Sequence, residues 1–260
     1  MKNLIIFLLL TAPNFSYAIL YADKNVDSNL ASSVIRLRLP DVNCTGVVIN
    51  EKTVLTAAHC FKGLNDVIIP VIGVQTFIGT TRPSTLREYS DVKILRYLDE
   101  DLTMIQFKDA IEDATPANYL QNPNLNFDEK NSFCFLGTGL TEKFYNTYAV
   151  MFGLNDPGNL NQLCNNEIDP SLNARIVIDK DRPYIQRLKY IKNRLTLQAG
   201  ADSGDSGSPF FISISGIDQL VGILSGGGVL DDKTGERFAS FTNLQDRAVY
   251  KWILNNSKNN

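Results

Sequence analysis

Short runs in which apolar and polar residues alternate occur along most of the chain, and a period of two is typical of β-strands. The runs are rich in β-branched and aromatic residues and are separated by Gly, Pro, Asn and Asp, which favour turns. Many short strands of this kind predict an all-β barrel or sandwich. The predicted strands are Val34–Leu39, Thr45–Ile49, Thr53–Ala57, Val67–Ile72, Val92–Tyr97, Leu102–Phe107, Phe133–Gly137, Ala174–Ile178, Ser208–Ile214, Gln219–Leu224 and Phe238–Thr242.

One helix is predicted near the C-terminal end of the sequence, at about residues 243–255. Asn243 is the expected cap, because its side chain can accept hydrogen bonds from the first N–H groups of a helix. Apolar residues recur beyond it at mostly helical spacing, so one face of the helix is expected to pack on the β-structure. These residues are Leu244, Val249, Trp252 and Ile253.

A segment rich in Asn, Asp and Pro, Asp109–Lys130, separates two clusters of predicted strands. Such a composition is typical of a connection rather than of a strand or helix. We therefore expect an N-terminal domain over residues 19–118 and a C-terminal domain over residues 119–260.

The first 18 residues have the features of a secretory signal peptide: basic Lys2, an apolar core at Leu4–Leu10, and the small-residue cleavage signal Ser16-Tyr17-Ala18. No stretch of the sequence reaches the roughly 20 apolar residues that span a bilayer. We expect a secreted or periplasmic protein without a membrane span. Cleavage would leave 242 residues with 24 basic and 28 acidic side chains, which lacks the basic surplus of a nucleic-acid-binding protein.

The strongest candidate for chemistry is a serine between glycines, in Gly204-Asp205-Ser206-Gly207-Ser208-Pro209. A serine hydroxyl becomes a strong nucleophile when a base removes its proton, and the oxyanion that follows needs nearby donors. The flanking glycines would let the N–H groups of Gly204 and Ser206 converge on that oxygen. A polar turn between strands is the alternative, because these residue types are also common in turns.

Only one histidine can serve as the base, His59, in Thr56-Ala57-Ala58-His59-Cys60. Both segments resemble the motifs of the chymotrypsin/trypsin-like serine endopeptidases. The histidine motif matches fully, and the serine motif departs once, at Ser208, where the family has glycine. The resemblance implies two six-stranded antiparallel Greek-key β-barrels followed by a C-terminal α-helix.

A third residue is needed to orient the histidine and to balance its charge. The resemblance assigns this role to Asp101, which opens an apolar segment like the family's aspartate motif. Asp99 and Asp91 are the alternatives, but neither opens an apolar strand. The chain order His59, Asp101, Ser206 differs from the orders in subtilisin-like and α/β-hydrolase enzymes.

These residues predict a serine endopeptidase that acts on proteins or peptides through an acyl-enzyme, with oxyanion donors at Gly204 and Ser206. A catalytically silent binding protein on the same fold and a secreted esterase are the alternatives. No cofactor or metal is expected, and a monomer is expected.

Four cysteines in an exported chain favour two disulfides over a metal site. The resemblance implies a disulfide between Cys44 and Cys60, which flank the strand before the histidine. Cys134 and Cys164 are then left as the second pair.

The resemblance also implies a specificity pocket. Counting back from Ser206 places its base at Gly200, and the family's pocket wall maps to Ser225-Gly226-Gly227, with a second base position at Ala239. None of these residues is charged, so an uncharged side chain is expected at the cleaved bond. If the local register shifts, Asp202 would face the pocket and select Lys or Arg.

Signal cleavage after Ala18 would expose Ile19 as the new N-terminus. In the family that this sequence resembles, such an amine pairs with the aspartate before the catalytic serine, which is Asp205 here. The resemblance therefore implies activation by signal removal, although Leu20-Tyr21-Ala22 stands where the family has Val-Gly-Gly. A local turn role for Asp205 is the alternative.

Overall fold

The computed structural model describes residues 26–40, 42–62, 64–78, 83–119, 133–139, 160–164, 175–178, 185–190, 204–231 and 236–257. This part of the chain contains helix α1 (Ser28–Ala31), helix α2 (Arg247–Ser257), a 3-10 turn (Ala58–Phe61) and thirteen strands. The strands are β1 (Val34–Arg38), β2 (Asn43–Asn50), β3 (Thr53–Thr56), β4 (Val67–Thr76), β5 (Arg87–Tyr97), β6 (Leu102–Gln106), β7 (Phe133–Gly137), β8 (Asn161–Cys164), β9 (Arg175–Ile178), β10 (Ile185–Tyr190), β11 (Pro209–Ile214), β12 (Ile217–Asp231) and β13 (Glu236–Asn243). None of the described helices is long and apolar enough to cross a membrane.

The first six strands form a closed antiparallel barrel in the order β1-β2-β3-β6-β5-β4. Its interior is filled by aliphatic side chains of the six strands, such as Leu37, Val54 and Ile105, all fully buried. Strands β3 and β6 are neighbours although they are distant in sequence, and Thr56 lies opposite Thr103. Because β3 ends where β6 begins, the residues after β3 and before β6 lie at the same end of the barrel.

The second half contains an antiparallel sheet in the order β8-β7-β11-β12-β13-β10-β9. Aromatic rings pack on it: Phe210 stacks on Phe241 with 4.7 Å between ring centroids, and Phe133 and Phe135 flank this pair. The all-β fold, the six-stranded barrel and the C-terminal helix are confirmed. The second half has seven described strands, where the resemblance implied six. The strands predicted from the hydrophobic pattern were five, because β8 and β10 were not among them.

A second apolar cluster lies between the barrel and this sheet. It contains fully buried side chains from barrel strands, from the sheet and from α2, so one continuous core joins the two halves. Its members include Val47, Leu55 and Met104 from the barrel, Leu136, Phe211 and Ile223 from the sheet, and Val249 and Ile253 from helix α2.

Helix α2 begins later than expected, at Arg247. Asn243 is the last residue of β13, and its side-chain oxygen accepts the N–H of Gln245. Asp246 is the cap instead, because its Oδ1 accepts the N–H groups of Ala248 at 2.8 Å and Val249 at 3.2 Å. The prediction of an Asn243 cap was therefore wrong.

Candidate active site

His59 lies in the 3-10 turn that follows β3, and its side chain is 47 % exposed. The alanines before it are fully buried, so the turn packs closely against the barrel. A disulfide from Cys60 to Cys44 ties the turn to β2, with 6.4 Å between the Cα atoms. The exposed imidazole thus stands on a fixed backbone.

Asp101 holds this histidine at two points. Its Oδ1 accepts the backbone N–H of His59 at 2.8 Å, and its Oδ2 lies 2.7 Å from His59 Nδ1. Asp101, rather than Asp99 or Asp91, is therefore the acid that contacts His59. The closeness follows from the β3–β6 pairing, which brings the ends of these strands together.

Ser225 donates a third hydrogen bond to this carboxylate, from its Oγ to Oδ2 at 2.9 Å. Burial alone would raise the pKa of Asp101, but the hydrogen bonds from His59 and Ser225 and the attraction to His59 outweigh burial and lower that pKa. Asp101 is thus ionised at neutral pH and favours the tautomer of His59 that carries a proton on Nδ1.

Ser206 lies on the other side of the imidazole. Its Oγ is 2.7 Å from His59 Nε2, so with the proton on Nδ1 the serine hydroxyl donates to Nε2. The structure therefore brings Asp101, His59 and Ser206 into one hydrogen-bonded chain. Two of these residues come from the barrel, and the serine comes from the second half.

The turn around Ser206 requires glycine at two positions, since Gly204 and Gly207 have φ angles of +98° and +87°. A Cβ on Gly207 would lie 2.1 Å from both the Thr45 carbonyl oxygen and Thr56 Oγ1. Across the described ranges, the N–H groups of Gly204 and Ser206 donate to no protein acceptor. These two donors are thus available to a ligand oxygen.

Asp205 is fully buried beside the serine, and its Oδ1 accepts the N–H of Gly139 at 2.8 Å. The carboxylate fills the space that side chains would need at two glycines: an added Cβ would lie 2.2 Å from Oδ1 at Gly137 and 2.6 Å at Gly139. Ile19, the predicted partner of Asp205, lies outside the described residues.

The predicted pocket residues are partly described. Gly227 and Ala239 are opposite each other in the β12–β13 pair, and Ala239 is fully buried. A Cβ on Gly226 would meet no atom within 4 Å, so open space adjoins this glycine. Ser225 directs its hydroxyl to Asp101, a contact that the sequence did not predict. Gly200 and Asp202 lie outside the described residues.

The second cysteine pair is supported by strand register. Cys134 on β7 lies opposite Cys164 on β8 in an antiparallel ladder, and Cys134 is disulfide-bonded. Directly opposed residues have the Cα separation that a disulfide needs. The pairing of Cys134 with Cys164 stays a prediction.

An apolar pocket of about 370 Å³ includes Cys60, the residue after His59, among its lining residues. It is formed by the β1–β2 connection, the 3-10 turn and β4, and most of its walls are aliphatic or proline side chains. The lining residues are Leu39, Pro40, Val42, Cys60, Phe61, Lys62, Leu64, Ile69, Pro70 and Val71. No group of three or more His, Cys, Asp or Glu side chains that could hold a metal occurs in the part of the chain that the structure describes.

Two residues near the site were missed by sequence reasoning. Thr45 and Thr138 are buried and bond to each other, and Thr45 also bonds to the turn that carries Ser206. Neither has a sequence signal of its own, because a threonine in a strand is ordinary and its partner lies 93 residues away.

The closed antiparallel barrel, the second antiparallel sheet and the C-terminal helix define the chymotrypsin-like class of fold. A family model described as Trypsin matches residues 25–253. The chain therefore belongs to the trypsin family.

Among solved structures, the chain is similar to the scabies mite inactivated protease paralogue S-I1, with a TM-score of 0.60 and 18 % sequence identity. The match covers 92 % of this chain and 99 % of that one. At this identity the likeness shows the fold alone. No significant match was found among curated protein sequences.

Proposed function

We propose that this protein is a serine endopeptidase. The observation that carries the proposal is the unbroken chain from Asp101 through His59 to Ser206, in which both side-chain contacts are 2.7 Å. The contact between Ser206 and His59 permits proton transfer, and the contact between His59 and Asp101 orients the imidazole and stabilises its protonated form. A trypsin-family fold by itself does not establish activity, because function depends on the site.

In the proposed mechanism, His59 Nε2 takes the hydroxyl proton as Ser206 Oγ attacks the peptide carbonyl. The resulting imidazolium is balanced by Asp101. The oxyanion accepts the N–H groups of Gly204 and Ser206. His59 then gives its proton to the leaving amine, and water reverses these roles to release the acyl group from Ser206.

The substrate is proposed to place an uncharged side chain in the pocket at Gly200, Ser225, Gly226, Gly227 and Ala239. The open space beside Gly226 supports room for a side chain there, and the absence of charge at these five positions supports an uncharged one. The apolar pocket lined by Cys60 and Phe61 of the 3-10 turn is proposed to receive a further apolar side chain of the same protein or peptide.

We also propose export as a secreted or periplasmic monomer, with activation by pairing of the Ile19 amine with Asp205. The Cys44–Cys60 disulfide supports an oxidising compartment, and the complete burial of Asp205 beside the serine supports a paired carboxylate. N-terminal sequencing of the active protein tests the activation step. A start well downstream of Ile19 would eliminate it.

A catalytically silent binding protein is the second candidate, because a fold neighbour is described as an inactivated paralogue. The proposed triad is complete here, which favours activity. Labelling by a fluorophosphonate separates the two candidates, since only an activated serine reacts.

The deciding experiment compares the purified protein with its Ser206→Ala and His59→Ala variants on a peptide library. We expect cleavage by the unaltered protein and a loss of about 10⁴-fold or more in turnover for each variant. Labelling and cleavage of an ester without cleavage of any peptide would indicate an esterase. Failure of labelling and of cleavage would indicate the binding protein.

A further inference from the structure

The hydroxyl of Thr45, on barrel strand β2, lies beneath the turn that carries Ser206. Thr45 is fully buried, and its Oγ1 has three partners: the Gly204 carbonyl oxygen at 2.8 Å, Thr138 Oγ1 at 2.8 Å and the Thr138 N–H at 3.0 Å. A hydroxyl has one proton and two lone pairs. Since a carbonyl can only accept, Thr45 donates to Gly204 and accepts twice from Thr138. Its hydrogen-bonding capacity is fully used.

The backbone of Thr45 contacts the same turn. Its N–H donates to the Ser206 carbonyl at 2.8 Å, and its own carbonyl accepts from Thr56 Oγ1 at 2.7 Å. Thr45 therefore binds the carbonyl groups on both sides of Asp205. Thr45 thus connects the barrel to the end of β7 and to the turn that carries Ser206, which we call the nucleophile turn.

We propose that the Thr45 side chain is a positioning residue for the oxyanion-binding N–H groups of Gly204 and Ser206. This inference rests on the proposed function. Gly204 has a positive φ and, as glycine, many accessible backbone conformations, so its own sequence does not hold the peptide that follows it. The Thr45 hydroxyl fixes the carbonyl of that peptide, and the Gly139 N–H fixes the carboxylate of Asp205. The Gly204 and Ser206 N–H groups adjoin this held segment.

Loss of the Thr45 hydroxyl should therefore weaken stabilisation of the transition state rather than binding of the substrate. Donors aimed at an oxyanion are effective because they are already oriented when charge develops. Loss of one such donor costs about 10²–10³-fold in kcat. Loosening both donors without removing them should cost less, about 10- to 100-fold in kcat, with KM nearly unchanged.

The test uses Thr45→Val, which keeps the side-chain shape and removes the hydroxyl, and Thr45→Ser, which keeps the hydroxyl. Thr53→Val is the matched control: Thr53 is a buried threonine of neighbouring strand β3 whose hydroxyl has no hydrogen-bond partner in the described structure. Two quantities are measured for each protein, namely amide hydrogen exchange of the segment 204–211 and the kinetics of peptide cleavage.

We expect faster exchange in segment 204–211 and the stated fall in kcat for Thr45→Val only. Thr45→Ser and Thr53→Val should resemble the unaltered protein. Equal effects of Thr45→Ser and Thr45→Val would assign the role to packing and overturn the proposal. If Thr45→Val does not fold, Thr138→Val takes its place, because it removes one of the two hydrogen bonds donated to the Thr45 hydroxyl. Thr138→Val should raise exchange in segment 204–211 and lower kcat by a smaller factor than Thr45→Val. No change in either quantity would contradict the inference.

The exchange measurement also keeps this inference separate from the proposed function. An unaltered protein that neither cleaves peptides nor reacts with a fluorophosphonate would refute the endopeptidase. Unchanged exchange in Thr45→Val would refute the role of Thr45, whether or not the protein is active.

Discussion

Ser206 can reach His59 because the next residue, Gly207, has no side chain. The Gly207 backbone lies against the Thr45 carbonyl and Thr56 Oγ1, so the nucleophile turn is in direct contact with barrel strands β2 and β3. The close approach of Ser206 to His59 thus depends on the absence of a side chain at Gly207 as much as on the two residues themselves.

Replacement of Gly207 by alanine should therefore cost much more stability than a positive φ alone requires. Gly216, at the tip of the β11–β12 hairpin, is the matched control, because its φ is +79° and an added Cβ would meet no atom within 4 Å. Gly216→Ala should cost about 1–2 kcal/mol. Gly207→Ala should cost more and also lose fluorophosphonate labelling. Chemical unfolding of both variants checks this, and equal costs would contradict it.

The Ser225 hydroxyl should support Asp101 only while that carboxylate is ionised. Its hydrogen bond helps to lower the pKa of Asp101, so the bond contributes stability above the unfolded-state pKa, and this contribution is lost as pH falls through the lower folded-state pKa. Ser225→Ala should be less stable than the unaltered protein at neutral pH and should equal it at sufficiently acid pH. Urea unfolding at several pH values measures the difference. A difference that does not change with pH would show that Ser225 acts through packing.

At the scale of elements, the pairing of β3 with β6 creates the site. The hydrophobic pattern predicted both strands, because each is a compact apolar run, and the family resemblance assigned Asp101, which directly precedes β6. The pairing of the two strands was not predicted, since no local pattern in either strand specifies a partner about 50 residues away.

Other elements could not be predicted, for identifiable reasons. Strands β8 and β10 contain Asn, Gln, Arg and Lys, which weaken the alternation on which strand prediction depends. Strand β12 extends to Asp231 through Gly226, Gly227 and Gly228, where glycine usually indicates a turn. These glycines are held by pairing with β13, which is a tertiary effect.

The start of α2 should depend on Asp246. Its carboxylate satisfies two N–H groups that have no acceptor within the helix. Asp246→Ala should lower the free energy of unfolding by about 1 kcal/mol. Asp246→Asn keeps a side-chain oxygen and serves as the control, with a much smaller loss. Thermal unfolding of the two variants measures this, and similar losses would argue against capping.

The cysteine connectivity should follow the strand register. A peptide map of the unreduced protein is expected to contain Cys44 linked to Cys60 and Cys134 linked to Cys164. Any other linkage would be inconsistent with the β7–β8 register, and a free thiol at Cys134 or Cys164 would refute the predicted disulfide.

At the scale of the whole molecule, the candidate site spans two halves that share one core. Helix α2 contributes to this core and also contacts the barrel, because Gln106 Nε2 donates to the Asn256 carbonyl at 2.7 Å. The distance between Ser206 and His59 is thus set partly by contacts far from either residue.

Ile253 tests this dependence, because its side chain is fully buried between the halves. Ile253→Ala should cost about 2–5 kcal/mol of stability, and activity should be lost at a lower temperature. Exposed Lys251 on the same helix is the control, and Lys251→Ala should change neither. Thermal unfolding and peptide cleavage over the same temperature range measure both effects. Unchanged thermal behaviour of Ile253→Ala would contradict the shared core.

The sequence contains a single tryptophan, Trp252, and its indole packs on Tyr97 of β5 with 5.4 Å between ring centroids. This contact crosses from helix α2 to the barrel. Indole fluorescence of the protein therefore originates at the boundary between the halves and nowhere else. A change in emission that precedes loss of the circular dichroism of the sheets would record separation of the halves as an event distinct from unfolding. The protein thus carries its own optical probe of the junction on which the candidate site depends.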